Sequence, residues 1–216
     1  MRVLWIVGLF FSTLTSLFAN SYEVHPLYEE RRNKLLGIYG SYTKEDADSK
    51  INLDGQSQTH GLDEKHMGFG IQAGYLLNEN HRILLDFAYH LKKNGFAYST
   101  FTIGYAFTPK LPTFDNWRAI FGVNAGLAMA KFSQGSFNIG GSSMGDLTFN
   151  GVTYGVKAGL LYALPYGELE FGIAARRLDF GDESDTLMIE DKPINANLDL
   201  SITSSLGAYF GYNYLF

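Results

Sequence analysis

LSITSSLGAYFGYNYLF, residues 200–216, is the stretch whose reading decides the fold. Its apolar residues recur with period 2, the mark of a strand with two unlike faces. Leu200, Ile202, Leu206, Ala208, Phe210, Tyr212, Tyr214 and Phe216 share one face with Ser204. Ser201, Thr203, Ser205, Gly207, Tyr209, Gly211, Asn213 and Leu215 share the other, which is mostly small and polar. A soluble chain gains nothing from large aromatic side chains at a fraying terminus. The face carrying Tyr212, Tyr214 and Phe216 therefore calls for an apolar cover.

Earlier segments repeat the pattern. Met67, Phe69, Ile71, Ala73, Tyr75 and Leu77 alternate with Gly68, Gly70, Gln72 and Gly74, and Ile83, Leu85, Phe87, Tyr89 and Leu91 with Asp86, Ala88 and His90. Phe101, Ile103, Tyr105 and Phe107 form a third set, and Phe121, Val123, Ala125, Leu127 and Met129 a fourth. Val152, Tyr154, Val156, Ala158, Leu160 and Tyr162, then Leu169, Phe171 and Ile173, complete the series, with a first strand placed around Leu35–Tyr42. The expected fold is all-β: an eight-stranded antiparallel up-and-down transmembrane barrel, because strands of about 9–11 residues cross a bilayer when tilted. A secreted sandwich would carry Lys, Glu and Thr on its outer face. Here the less apolar face is rich in Gly, Ser and Thr, which suits a cramped interior, while the apolar face carries Tyr and Phe near strand ends, as interfacial girdles do.

Bulk composition agrees. Aromatics make up 15% of the chain, glycine supplies 24 residues and cysteine none, which removes disulfides and thiolate metal sites. A formal charge of −5 and a pI near 5.5 speak against nucleic acid as a partner. The N-terminus MRVLWIVGLFFSTLTSLFAN has a basic Arg2, an apolar run Val3–Phe11 and a small Ala19, as a cleavable signal peptide does. The expected organisation is a signal peptide over 1–19, a short periplasmic segment over 20–33 and the barrel over 34–216. No later run is apolar and long enough for a helical span.

The connections give an independent check. Residues 77–81, 108–116 and 164–167 are short, as periplasmic turns should be, and of the four external connections 44–66, 131–146 and 181–197 are long and polar while 92–95 is a short exception. Opposed residues on antiparallel strands must share a face. A three-residue loop Lys93–Gly95 satisfies this by pairing Phe87 with Phe101 and Leu85 with Ile103, with Gly95 left-handed; a bare two-residue Asn94–Gly95 loop does not. A two-residue Pro165–Tyr166 turn pairs Tyr162 with Leu169 and Leu160 with Phe171.

On the inward face, Asp86, Glu168 and Glu170 stand against Arg118, Lys157 and Arg176. Charges inside a barrel need partners, so a luminal ion-pair network is expected, with Arg118 pairing Glu168 and Glu170 near the periplasmic end and His90 joining as a hydrogen-bonding group. Eight strands leave a lumen that side chains can fill, which favours a plug over a pore. His90 and Asp86 lie four strand residues apart, over about 13 Å at ~3.3 Å per residue, and Ser99 falls on the opposite face, so no catalytic pair forms and no enzyme is expected. KEDADSKINLDG, residues 44–55, holds Asp46, Asp48, Asn52 and Asp54 but lacks calcium-loop spacing, so neither metal nor cofactor is expected.

Gly211, Tyr214 and Phe216 resemble the C-terminal β-signal of bacterial outer membrane proteins. With the leader and the strand pattern, the chain resembles the small OmpA/OmpX/opacity-type barrels over nearly all of its mature length. That resemblance implies insertion by the barrel assembly machinery, contact with outer membrane lipid and lipopolysaccharide, and loops that meet host or phage surface ligands. It implies a structural or surface-interaction role, with a narrow OmpW-type conduit and a lipid A-modifying enzyme as the alternatives.

Overall fold

The computed structural model describes residues 32–53, 56–93, 95–132, 138–139, 142–143, 147–180, 183–189 and 192–216. The expected leader and most of the segment after it lie outside the described residues, as does Asp54; the side chains of Asp48 and Asn52 are likewise not described.

Among the described residues eleven strands form: β1 Lys34–Leu53, β2 Gln56–Asn78, β3 His81–Lys93, β4 Phe96–Phe107, β5 Trp117–Phe132, β6 Asn138–Ile139, β7 Ser142–Ser143, β8 Leu147–Leu164, β9 Gly167–Phe180, β10 Glu183–Ile189 and β11 Lys192–Leu215. Eight of them, in the order β1-β2-β3-β4-β5-β8-β9-β11, pair antiparallel with their neighbours, and β11 returns to β1 to close the ring. β6 and β7 make a separate two-residue pairing, and β10 adds to the far end of β11. Closure runs from Leu35↔Leu215 to Leu53↔Ala196, so the first and last staves leave no bare edge between them.

Alternation sorts the side chains cleanly. Ile38, Phe69, Phe87, Phe101, Leu127, Val156, Ile173 and Phe210 all point outward and stay exposed, Ile38 by 66%. Such a continuous apolar exterior is unstable in water and matches a hydrocarbon surroundings. Trp117, Tyr162 and Phe171 cluster at the turn end, with ring centroids 5.0 and 5.7 Å from Trp117, and Tyr214 stacks on Phe216 at 6.0 Å.

The short connections are turns Glu79–Asn80 and Pro165–Tyr166 and the segment 108–116. Tyr162 pairs with Leu169 and Leu160 with Phe171, as the two-residue turn requires. Phe87 pairs with Phe101 and Leu85 with Ile103, but the hairpin is not the expected three-residue loop. Lys93 pairs with Phe96, and a register shift between His90 and Lys93 corrects the parity. Gly95 adopts φ 84°, the left-handed conformation such a turn needs.

The expected loops are also shorter than their polarity suggests. β1 and β2 stay paired from Tyr42↔Met67 to Leu53↔Gln56, so most of 44–66 is hairpin rather than loop, and the first strand runs well past Tyr42. β10 and β11 likewise pair from Ile189↔Lys192 to Glu183↔Leu198 within the expected loop 181–197. Strands β10, β11, β1 and β2 together extend beyond the β2–β3 pairing, which stops at Gly68↔His90.

Inside, Tyr39 lies opposite glycine on both neighbouring strands, Gly70 on β2 and Gly211 on β11. A Cβ at Gly70 would sit 2.5 Å from the Tyr39 hydroxyl oxygen, and one at Gly211 would sit 2.6 Å from Tyr39 Cβ. Glycine at these positions is what lets the ring lie across the lumen wall. Gly70→Ala should therefore overpack this site and cost about 1–3 kcal/mol, read as a lowered urea midpoint of Trp117 fluorescence in lipid vesicles. Gly40→Ala, whose Cβ would meet nothing closer than 3.9 Å, should leave the midpoint unchanged.

Candidate functional site in the barrel lumen

The lumen is layered. At the turn end, Leu35, Leu76, Leu84, Ala106, Ile120, Leu161 and Leu215 form a buried apolar cluster. Embedded beside it, Arg82 forms an ion pair with Glu168, donating from Nη1 to Oε1 and from Nη2 to Oε2 at 3.3 Å. Both side chains are nearly inaccessible, at 1% and 2%. Arg118 donates from Nε to the Thr108 carbonyl at 2.9 Å and from Nη2 to Asn80 Oδ1 at 2.7 Å and the Glu79 carbonyl. It thus fastens two turns, satisfying backbone acceptors that a lipid-embedded rim could not leave bare.

One layer up, Glu170 accepts from Lys157 Nζ at 2.7 Å, from Gln72 Nε2 at 3.0 Å and from Asn213 Nδ2 at 3.0 Å. Asn213 Nδ2 also reaches Glu168 Oε1 at 3.2 Å, so one amide links the two carboxylates. Four donors around two buried carboxylates are what desolvation demands. Above them Tyr39 donates its hydroxyl to Asp86 Oδ1 at 2.9 Å, and Arg176 Nη2 stands 4.0 Å from the same oxygen.

At the loop end, Glu45 is buried and accepts from the Tyr98 hydroxyl and from Thr43 Oγ1 at 3.0 Å. His66 Nε2 lies 3.6 Å from Glu45 Oε2, and His66 Nδ1 lies 3.0 Å from the Leu91 carbonyl. A carbonyl only accepts, so Nδ1 carries the proton. His90 stacks on Tyr98, rings 4.0 Å apart and 8° from parallel, and its Nδ1 is 3.4 Å from Thr43 Oγ1. Phe96, Ala130, Phe149, Leu178 and Phe180 are buried toward the same end.

No protein-family model and no curated protein matches the chain. Among solved structures it is similar to the outer membrane protein OprG from Pseudomonas aeruginosa, at 14% identity over 84% of this chain and 96% of that one, with a TM-score of 0.54. The fold is that of a small bacterial outer membrane β-barrel. Neisserial surface protein A is also similar, at 17% identity over 84% of this chain and 97% of that one, TM-score 0.49. So is Ail, the attachment invasion locus protein of Yersinia pestis, in complex with the heparin analogue sucrose octasulfate, at 22% identity over 84% and 99%, TM-score 0.36. An outer membrane location follows from the fold together with the lipid-facing belt.

Of the residues read as luminal, Lys157 meets Glu170, Arg176 approaches Asp86, and His90 belongs to the loop-end cluster. The expected pairing of Arg118 with Glu168 and Glu170 is redistributed: Glu168 pairs with Arg82, Glu170 with Lys157, and Arg118 serves the turns. Arg82 was missed because the alternation is legible only from Ile83 onward. Glu45 and His66 were missed because they sit in what reads as a loop. With Arg82 and Glu45 added, four inward acids (Glu45, Asp86, Glu168, Glu170) face four inward bases (Arg82, Arg118, Lys157, Arg176) among the described residues. Gly211 faces inward against Tyr39, while Tyr214 and Phe216 are exposed on the lipid side.

The Arg82–Glu168 assignment is open to a double-mutant cycle. Arg82→Met and Glu168→Gln should each cost about 3–5 kcal/mol of stability, because each strands a buried charge. The double variant should cost less than the two together by about 1–3 kcal/mol; strict additivity in urea titrations would show that the two do not act as a pair.

Proposed function

We propose that this protein is a surface-interaction barrel of the bacterial outer membrane whose lumen is closed and whose working surface is the outward strand extension. The observation that carries this reading is the two-tier plug. Arg82–Glu168 and the leucine cluster fill the periplasmic half, and Glu45, His66, Tyr98 and Phe149 fill the outer half. Buried ion pairs of this kind hold a lumen shut rather than lining a water-filled path.

Charge partition supports the second half of the proposal. Residues 46–65 and 182–199 hold eleven of the 22 acidic residues but three of the 17 basic ones. Seven of the eleven acids fall within β1, β2, β10 and β11, while Asp54, Asp182, Glu190 and Asp191 lie outside the described residues. An acidic outer surface attracts cationic groups on a host or phage ligand, or lipopolysaccharide phosphates bridged by divalent cations. Insertion would use the barrel assembly machinery, with Gly211, Tyr214 and Phe216 as the recognition signal. No catalytic role is assigned; His66 Nδ1 and His90 Nδ1 face buried partners, the Leu91 carbonyl and Thr43 Oγ1.

The competing conduit reading draws on the polar space between the two plugs. Planar-bilayer recording separates them: the intact protein should show no conductance steps. Because the chain contains no cysteine, Asn124→Cys gives a clean luminal reporter. It should resist charged thiol reagents in the intact barrel and react once Arg82→Ala opens the periplasmic plug. Steady ion flux through the unaltered protein would replace the closed-lumen reading with the conduit. For the surface role, cells expressing a variant with the acids of 46–65 neutralised should lose surface-ligand binding while still running as a heat-modifiable band on gels.

A further inference from the structure

Two polar atoms confront each other at the loop end of the lumen. Glu45 Oε2 on β1 and His66 Nε2 on β2 lie 3.6 Å apart, with the side chains 2% and 0% exposed. Neither atom has a hydrogen-bond partner. The rest of each side chain is committed. Glu45 Oε1 accepts from the Tyr98 hydroxyl and from Thr43 Oγ1, and His66 Nδ1 donates to the Leu91 carbonyl at 3.0 Å. That last bond creates a conflict. With the ring hydrogen on Nδ1, a neutral imidazole turns a bare lone pair from Nε2 toward a carboxylate oxygen that also can only accept. Two acceptors facing each other away from solvent repel, and both carry their desolvation penalty. One extra proton, on either Nε2 or Oε2, turns the repulsion into a charge-assisted attraction.

We infer that Glu45 and His66 form a buried binding site for one shared proton, and that this proton latches the loop end of the barrel. The position of the pair gives the latch its consequence. The β2–β3 ladder ends at Gly68↔His90, and beyond it His66 reaches β3 through its side chain, at Leu91. Glu45 is held from across the lumen by Tyr98 on β4. The proton therefore joins a carboxylate fastened to β4 and an imidazole fastened to β3. It does so where β1 and β2 leave β3 behind and run on as a hairpin to Leu53↔Gln56. The neighbouring elements supply no substitute. From β4, the rings of Phe96 and Tyr98 pack edge-on against His66, at 5.6 and 5.9 Å. From β3, His90 stands within electrostatic reach of His66, stacked on Tyr98. From β9, the field of Arg176 reaches Glu45, but its guanidinium stands beside Asp86. Among the described residues no third metal-binding side chain joins the pair, which leaves the proton as the cation that fits.

The test uses the full barrel in detergent micelles, with thermal unfolding followed from about pH 5 to about pH 8, the span in which histidine changes charge. The folded pair holds one proton more than a separated carboxylate and neutral imidazole do. Stability falls with rising pH wherever the folded state binds more protons than the unfolded one. The unfolding midpoint of the natural sequence should therefore drop by about 2–4 °C across that span. Glu45→Gln should abolish the drop, because its amide N–H meets His66 Nε2 at every pH. His66→Gln, which turns a fixed N–H toward the carboxylate, should abolish it as well and keeps the test alive if the first variant does not fold. Both variants retain the chain's other histidines, so their contributions cancel in the comparison. Amide exchange at His66 and Leu91, corrected for its intrinsic pH dependence, should quicken toward the alkaline end in the natural sequence and stay level in Glu45→Gln. A flat or rising midpoint in the natural sequence, an equal drop in the variants, exchange that ignores pH, or stabilisation by zinc ions that a chelator reverses would each overturn the proposal.

Discussion

Everything in this structure depends on β1 and β11 closing the ring. In hydrocarbon an unpaired N–H or C=O has no solvent to bond, so an eight-stave sheet with one open seam would not survive there. The seam is also the longest pairing of the barrel together with β1–β2, running from the turn end to Ala196. It fixes parity around the whole circle. Once Leu36 and Tyr214 are opposed, every later stave must enter with its greasy face outward, or the chain cannot meet itself. The register shift before Lys93 is a local payment to that global rule: the strand absorbs the odd residue ahead of the Lys93↔Phe96 pair.

Closure then sets the chemistry of the interior. Eight strands enclose a lumen only as wide as facing side chains can fill. Charges placed there cannot retreat to water, so they must cancel in pairs and be hydrogen-bonded on their remaining atoms. The four-against-four balance is the result, and Asn213, Gln72 and Tyr39 complete it as neutral donors to carboxylates. Side-chain size is regulated by the same constraint. Tyr39 crosses the wall only because both cross-strand neighbours are glycine. This gives Gly211 a packing reason independent of any recognition at the C-terminus.

Which of these features the sequence discloses follows from where lipid ends. Between about Leu35 and Phe216, positions that face lipid are apolar and their neighbours are small or polar, so strands, faces and two hairpin registers are readable from alternation alone. The reading weakens where alternation has no cause. Beyond Tyr42 on β1 and before Met67 on β2 the sequence turns polar at both alternating positions, and a long hairpin imitates a loop. At the turn end the opposite happens: Leu35, Leu76, Leu84, Leu161 and Leu215 are apolar but face inward, so the pattern blurs and hides Arg82 beside them. Pairing partners are the least legible of all. Arg118 and Glu168 both begin outward-going staves, yet only the ring's stagger decides that Arg82 on β3 reaches across to Glu168 on β9.

The same stagger confines what this barrel can do. Passing a large solute through this lumen would first require breaking buried pairs such as Arg82–Glu168 and Lys157–Glu170. The lipid-facing belt is likewise committed to hydrocarbon. Beyond that lumen, β1, β2, β10 and β11 continue past the β2–β3 pairing. Half of the chain's acidic residues are concentrated in that region's sequence segments, whereas the balance elsewhere leans basic. A membrane anchor alone would gain nothing from such a partition. The surface-interaction role we propose would use it, and the seam strands that run on past the β2–β3 pairing give those segments a hydrogen-bonded base.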